Sequence, residues 1–241
     1  MSFQIGNRSV EPIEQMAEGL KAYFGKIYNY MAGGLAMSGA VAYMVAHTSL
    51  RELFYRTSVN GVGYSLLGFI AILSPLALIF MISSAINRLN TARAQGLFWL
   101  FSALMGVSLS NIFLFYPQAV IFQSFLITAG MFAAMSLYGY TTGRSLASWG
   151  SFLFMGLIGV ILASIVNLFL QSGAVAWGVS VLSVVIFVGL TAYDTQKLKY
   201  MYDGADTEER QQTKAISGAL SLYLDFINLF QLVLYFMNDR R

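Results

Sequence analysis

The sequence predicts an all-α, polytopic membrane protein built as a bundle of seven transmembrane helices. Composition is the first reason: of 241 residues, 57% are hydrophobic and 10% charged, with a mean hydropathy of +0.66, whereas soluble domains carry roughly 25% charged residues. Charge placement is the second. The charged residues cluster between apolar runs, and a spanning helix needs about 20 apolar residues, so the runs 28–47, 61–84, 94–115, 117–138, 148–170, 175–194 and 215–237 account for nearly the whole chain.

Residues 1–27 read as a cytoplasmic leader. Glu11, Glu14, Glu18, Lys21 and Lys26 are mixed there with scattered apolar positions, which is not the basic start, apolar core and cleavage site of a secretory signal. The first span is therefore expected to be retained. Segment 13–27 suits an amphipathic helix lying on the membrane as well as it suits a solvated leader. Residues 28–237 form the transmembrane domain, and 238–241 a short C-terminal tail.

In the first span Gly33, Gly34, Ala36, Gly39 and Ala40, and in the fifth Gly156, Gly159 and Ala163, are small residues that let helix backbones approach closely in lipid. The second span carries Pro75 after Ser74, a kink whose freed carbonyl neighbouring helices can satisfy. Spans three and four, and five and six, are joined by very short connections and should form tight antiparallel hairpins. The longest loop, 195–214, holds Asp203, Asp206, Glu208 and Glu209. Such an acidic run reads as a solvated linker, because it lacks the alternating ligands and Gly of a calcium loop. Asn111, Asn167, Asn228 and Gln231 are expected to turn inward, bridging helices or lining a wet cavity, since an amide facing hydrocarbon is costly.

Lys and Arg set the orientation, because cytoplasmic loops hold the excess. With the N-terminus inside, Arg8, Lys21, Lys26, Arg88, Arg93, Arg144, Lys197, Lys199, Arg210 and Lys214 are cytoplasmic, and only Arg51, Arg56, Arg240 and Arg241 fall outside. Seven spans then put the C-terminus outside, unless the last helix re-enters the membrane.

Absences exclude several functions. Without cysteine there is no disulfide or thiolate metal site, and the single histidine, His47, rules out an intramembrane bis-histidine haem or a His-Glu-x-x-His zinc protease. No lysine lies in the last span to carry a retinal Schiff base. A rhomboid-like serine protease finds His47 on the side opposite most polar residues. The net charge of +3 comes without a basic cluster interleaved with aromatics, so nucleic acid is not an expected partner. Neither enzymatic activity nor a cofactor is expected.

What remains is a pair of acids within apolar helices, Asp194 and Asp225. A central aspartate costs about 2.5–3.5 kcal/mol on insertion scales, so its presence marks function. Asp225 lies ten residues into its span, about 15 Å deep and near the bilayer middle. Asp194 is closer to the cytoplasmic edge, about one turn from Lys197. Straight ideal helices leave the two offset by about 10 Å along the axis, so the sequence permits contact without forcing it. At about 4 Å and an effective dielectric near 20, two ionised carboxylates repel by about 4 kcal/mol. Such a pair titrates as a unit, bridged by a proton in acid and repelled or cation-bridged in alkali.

At these residues the chain resembles the Bax inhibitor-1 superfamily, also called the transmembrane BAX inhibitor motif family, in its bacterial inner-membrane branch. The stretches that carry the likeness are Gly189, Leu190, Thr191, Ala192, Tyr193, Asp194, Thr195, Gln196, Lys197 and Leu198, and Ala219, Leu220, Ser221, Leu222, Tyr223, Leu224, Asp225, Phe226, Ile227, Asn228, Leu229 and Phe230. Further similarity falls at 104–113 and 134–142, and the likeness covers the chain after Gly19. It implies a seven-helix fold with the last helix central and an aspartate latch, Asp194 with Asp225, governing a proton-sensitive calcium leak in a bacterial inner (plasma) membrane. The same two residues would bind calcium transiently. A basic residue after the second span, Arg88 with Arg93 as competitor, would pair with the latch in one state. The chain ends at Asn238, Asp239, Arg240 and Arg241 without a long basic tail, so cell-death suppression is not carried over.

A pH-sensitive cation leak, with lipid, calcium and protons as its partners, is thus the leading expectation. The alternative is a non-conducting protein that binds and modulates other membrane proteins, with Asp225 holding helices together. A proton-coupled transporter ranks third, because the two halves show no inverted repeat with broken helices.

Overall fold

The computed structural model describes residues 11–58 and 61–238. Arg8, Arg240, Arg241 and most of the C-terminal tail lie outside the described residues, as does the first part of the leader. Seven long helices account for most of the fold: α1 (Glu11–His47), α3 (Leu66–Asn87), α4 (Thr91–Leu109), α6 (Gln118–Thr141), α7 (Ala147–Leu170), α8 (Gly173–Met201) and α9 (Glu208–Asn238). Two four-residue helical turns, α2 (Arg51–Phe54) and α5 (Ile112–Phe115), and a hairpin of β1 (Tyr55–Ser58) and β2 (Gly61–Tyr64) complete it. Among the described residues six helical segments are long and apolar enough to cross a membrane: 66–87, 91–115, 118–141, 147–170, 173–201 and 208–238. The chain is a multi-pass membrane protein. Its α1 falls outside that set because the apolar part, interrupted by Gly, Ser and Tyr, is less apolar than the other spans; the charged leader and this run form one continuous helix.

Local chemistry sets the boundaries. Ser65 caps α3 by accepting from the Gly68 amide at 3.0 Å, and Asn90 caps α4 by accepting from Arg93 at 3.0 Å, each satisfying an amide the helix leaves open. Pro117 sits immediately before α6, where its missing N–H costs nothing. Pro75 lies inside α3.

Three boundaries differ from the sequence expectation. The second span begins at Leu66, because Gly61–Tyr64 pairs as a strand with Tyr55–Ser58. That hairpin is tied to the bundle: the Tyr55 and Ser110 hydroxyls lie 2.8 Å apart, and the Asn111 amide donates to the Tyr64 hydroxyl at 3.1 Å. The third run breaks at Ser110 and Asn111, where those ties are made. The loop expected at 195–214 shrinks to 202–207, since α8 runs on to Met201 and α9 starts at Glu208. Its acidic run is not simply solvated: Asp206 is 6% exposed at its side chain and pairs with Lys214 and Arg210.

The packing is graded across the bundle. In α9, 56% of the most apolar stretch is buried, against 11–33% in the other five candidate spans. It touches α1, α3, α4, α6 and α8, and Ala215, Ile216, Ala219, Leu222, Tyr223 and Leu229 are fully enclosed. At the other extreme α7 packs chiefly on α8 and leaves Phe152, Phe154, Met155, Leu168 and Phe169 exposed. In water that surface would be a liability; in a bilayer it is the face that meets acyl chains.

Candidate functional site

A cavity of about 770 Å³ opens between α7, α8 and α9, and both intramembrane aspartates line it. Each helix presents one stripe, as residues three and four apart share a face. From α9 come Ser221, Leu224, Asp225 and Asn228; from α8, Phe187, Leu190, Tyr193, Asp194 and Lys197. The α7 wall runs from Gly150 and Ser151 through Phe154 and Leu157 to Ile161. Apolar residues therefore form the walls, and the polar groups converge from α8 and α9.

Asp225 is 5% exposed, and its Oδ2 has no hydrogen-bond partner. Asp194 is half-buried. Both carboxylates line one cavity, and Lys197, one helical turn from Asp194, lines it with them. No hydrogen bond or ion pair joins either carboxylate to another described residue. Burying an unpaired carboxylate costs several kcal/mol, so the arrangement favours uptake of a proton or a cation.

The α8 carboxylate is held by close packing around it. A Cβ on Gly139 would lie 2.2 Å from the Ala192 carbonyl oxygen, so α6 and α8 touch backbone to backbone two residues before Asp194. One residue after it, buried Thr195 donates to the Thr191 carbonyl at 2.7 Å and bonds the Ser136 hydroxyl at 2.9 Å, and Ser136 in turn meets Tyr28 at 2.7 Å. Gln196 donates to the Arg144 carbonyl at 2.8 Å and accepts from the Leu146 amide at 2.7 Å, which pins the α6–α7 connection to α8. A Cβ on Gly150 would lie 2.4 Å from the Tyr193 ring, so that ring lies directly on α7.

Asp225 is held from the opposite face of α9. The Tyr223 hydroxyl meets Ser38 at 2.7 Å, and Ser38 contacts the Ser102 carbonyl at 2.6 Å, tying α9 to α1 and α4. Phe101 packs edge-on against the same tyrosine at 5.4 Å.

The remaining candidate residues are scattered. Asn228 lines the cavity with the aspartates. Asn111 ties strand β2 to the α4–α5 break through Tyr64 and does not line the cavity with the aspartates. Asn167 accepts from the Ser172 amide at 3.1 Å, closing the turn from α7 to α8 without lining the cavity. Gln231 is exposed, against the expectation that it turns inward, since its α9 stripe emerges beyond the end of the cavity. Arg88 is exposed at the end of α3 and makes no ion pair among the described residues; Arg93 is exposed as well. The cation that lines the cavity is Lys197. Sequence reasoning passed over it and Ser221, although each stands one helical turn from an aspartate.

Among the described residues no group of three or more His, Cys, Asp and Glu could hold a metal ion. Calcium takes six to eight oxygen ligands. Asp194 and Asp225, with the neutral oxygens of Ser221 and Asn228, are oxygen donors that the cavity offers to a cation. His47 is exposed, stacked on Tyr43 at 4.2 Å and bonded to the Tyr43 carbonyl at 3.0 Å.

Comparison with known proteins places these features. The family model described as "Inhibitor of apoptosis-promoting Bax1" matches residues 20–241. The Escherichia coli inner membrane protein YbhL is 44% identical over 96% of this chain and 97% of its own. An uncharacterized Rickettsia prowazekii protein is 42% identical over 93% of this chain and 92% of its own. An uncharacterized membrane protein of Streptococcus pyogenes is 40% identical over 88% of this chain and 90% of its own.

Proposed function

This chain belongs to the Bax inhibitor-1 family, and from that premise we propose that it is a pH-sensitive calcium leak gated by Asp194 and Asp225. The observation that carries the reading is the shared cavity: Asp225, whose buried Oδ2 has no hydrogen-bond partner among the described residues, lines the same space as Asp194. A proton held between the two removes their repulsion and lets α8 and α9 close. When both are ionised they repel, and a divalent cation entering the cavity screens them. Lys197 is the counter-charge on the cavity wall, and Arg88 reaches the pair only if the α3–α4 connection moves.

In this reading α1 crosses as the first of seven spans, α9 is the central helix, and the N-terminus is cytoplasmic in a bacterial inner membrane. Lipid, calcium and protons are the partners, and no catalysis is assigned. The test is flux: purified protein in liposomes loaded with a calcium indicator should admit calcium at a rate that changes with pH. If Asp225→Asn leaves both the rate and its pH response as they are in wild type, gating by the pair is wrong.

A second reading, a non-conducting protein that binds other membrane proteins, is favoured by a different feature. An apolar groove of about 640 Å³ between α1, α5, α6 and α9 is lined on its α9 wall by Phe226, Ile227 and Phe230. Liposomes that admit no calcium at any pH would select this reading.

A further inference from the structure

We propose that a third, smaller pocket, about 300 Å³ between α1, α4 and α9, binds the phosphate-bearing headgroup of an anionic phospholipid. It is lined by Lys26, Asn29, Tyr30, Trp99 and Gln212. Those side chains offer one cation and several N–H or O–H donors, and no carboxylate lines the pocket. The Gln212 amide donates to the Tyr30 hydroxyl at 3.3 Å, which leaves the tyrosine proton free to donate onward. Glu209, one turn before Gln212, is exposed and directs its backbone carbonyl to Thr91.

The floor of the pocket is built. A Cβ on Gly33 would lie 2.8 Å from Cη2 and 3.3 Å from Cζ3 of Trp99, so the benzene edge of the indole rests on α1 and its N–H edge lies on the other side of the ring. The Tyr30 ring stands 6.0 Å from the indole and 5.9 Å from Phe98. Depth points to lipid: Lys26 and Gln212 lie just before the apolar parts of α1 and α9, and Trp99 is five residues, about 7.5 Å, past the start of the apolar part of α4 at Ala94. That is the headgroup level, where Trp and Tyr concentrate and where a lysine meets anionic lipid. Ammonium and amide donors around one pocket match a phosphate diester oxygen.

The experiment uses the full chain with Trp149→Phe and Trp177→Phe, leaving Trp99 as the only indole, in non-ionic detergent. Dioctanoyl phosphatidylglycerol should shift Trp99 emission saturably, with a midpoint about fivefold below that of dioctanoyl phosphatidylcholine. Lys26→Gln should erase that preference and Lys26→Arg keep it. Asn29→Ala, at an exposed position, should raise the phosphatidylglycerol midpoint alone. The proposal is overturned if Lys26→Gln keeps the preference, if phosphatidylcholine binds as well as phosphatidylglycerol, or if inorganic phosphate saturates at the same midpoint as the lipid, which would assign a soluble anion.

Discussion

Asp225→Asn should make the protein more stable in alkali and change it little in acid. Asparagine has nearly the shape of a protonated aspartic acid, so in acid, once the pair holds a proton, the substitution alters little. Where both carboxylates are ionised, wild type carries a repulsion that the variant lacks. At separations of about 4–8 Å and an effective dielectric near 20, that repulsion is about 2–4 kcal/mol. The sign follows directly: wild-type stability falls as pH rises through the titration of the pair, and the variant's does not. For a chain of this size each kcal/mol moves the midpoint by about 2–4 °C, so the variant should melt at least about 4 °C above wild type near pH 8.5 and close to it near pH 5. Thermal unfolding of both proteins in detergent, followed by tryptophan emission, measures the difference. An equal gap at the two pH values, or a variant less stable in alkali, would refute the electrostatic reasoning, whatever the flux assay shows.

Four further outcomes test the frame around the site. Gly139→Ala drives a methyl to 2.2 Å from the Ala192 carbonyl; the backbones must part, and denaturant titration should show a loss of about 1–3 kcal/mol. Gly150→Ala meets only the outer end of the Tyr193 ring at 2.4 Å, which can swing, so stability should change by less than about 1 kcal/mol while calcium flux changes. Asp206→Asn removes the charge opposite the partly buried Lys214 ammonium, whose other partner is the Met201 carbonyl at 2.9 Å, and urea midpoints should report a loss of about 1–3 kcal/mol. The Tyr23 phenol, raised to about 12 by burial and then by the charge of Asp206, should stay protonated in the folded protein after exposed tyrosines have ionised. Because the folded-state value is the higher one, stability is lost as pH rises from about 10 to about 12, and ultraviolet titration of Tyr23→Phe should show one tyrosine fewer in the late step.

Much of the bundle was legible because the bilayer demands long apolar helices and punishes charge inside them. The runs ending at Leu170 and beginning at Pro117 match the observed helices almost to the residue. Boundaries failed where polar and small residues carried no hydropathy signal. Val62 and Tyr64 continue an apolar run, yet they pair across a hairpin because Tyr55 and Tyr64 find hydroxyl and amide partners at the α4–α5 break, fifty residues away in sequence. The acidic loop misled in the same way: Asp206 looks like its exposed neighbours until Lys214 folds back onto it.

Asp194 and Asp225 stand out in a one-dimensional reading, since each interrupts an apolar helix and the cost of doing so is local. Whether they face one space is a matter of helix rotation and tilt, which ideal axial offsets do not supply. The contact of Gly139 with Ala192, the Tyr223–Ser38 tie and the seating of Tyr193 on Gly150 set those rotations, each through partners far apart along the chain. Hydropathy and charge therefore identify the membrane class and the acids worth watching, because they act residue by residue. The cavity, the place of Lys197 on its wall, and the outward turn of Gln231 come from packing, which exists only once distant surfaces have met.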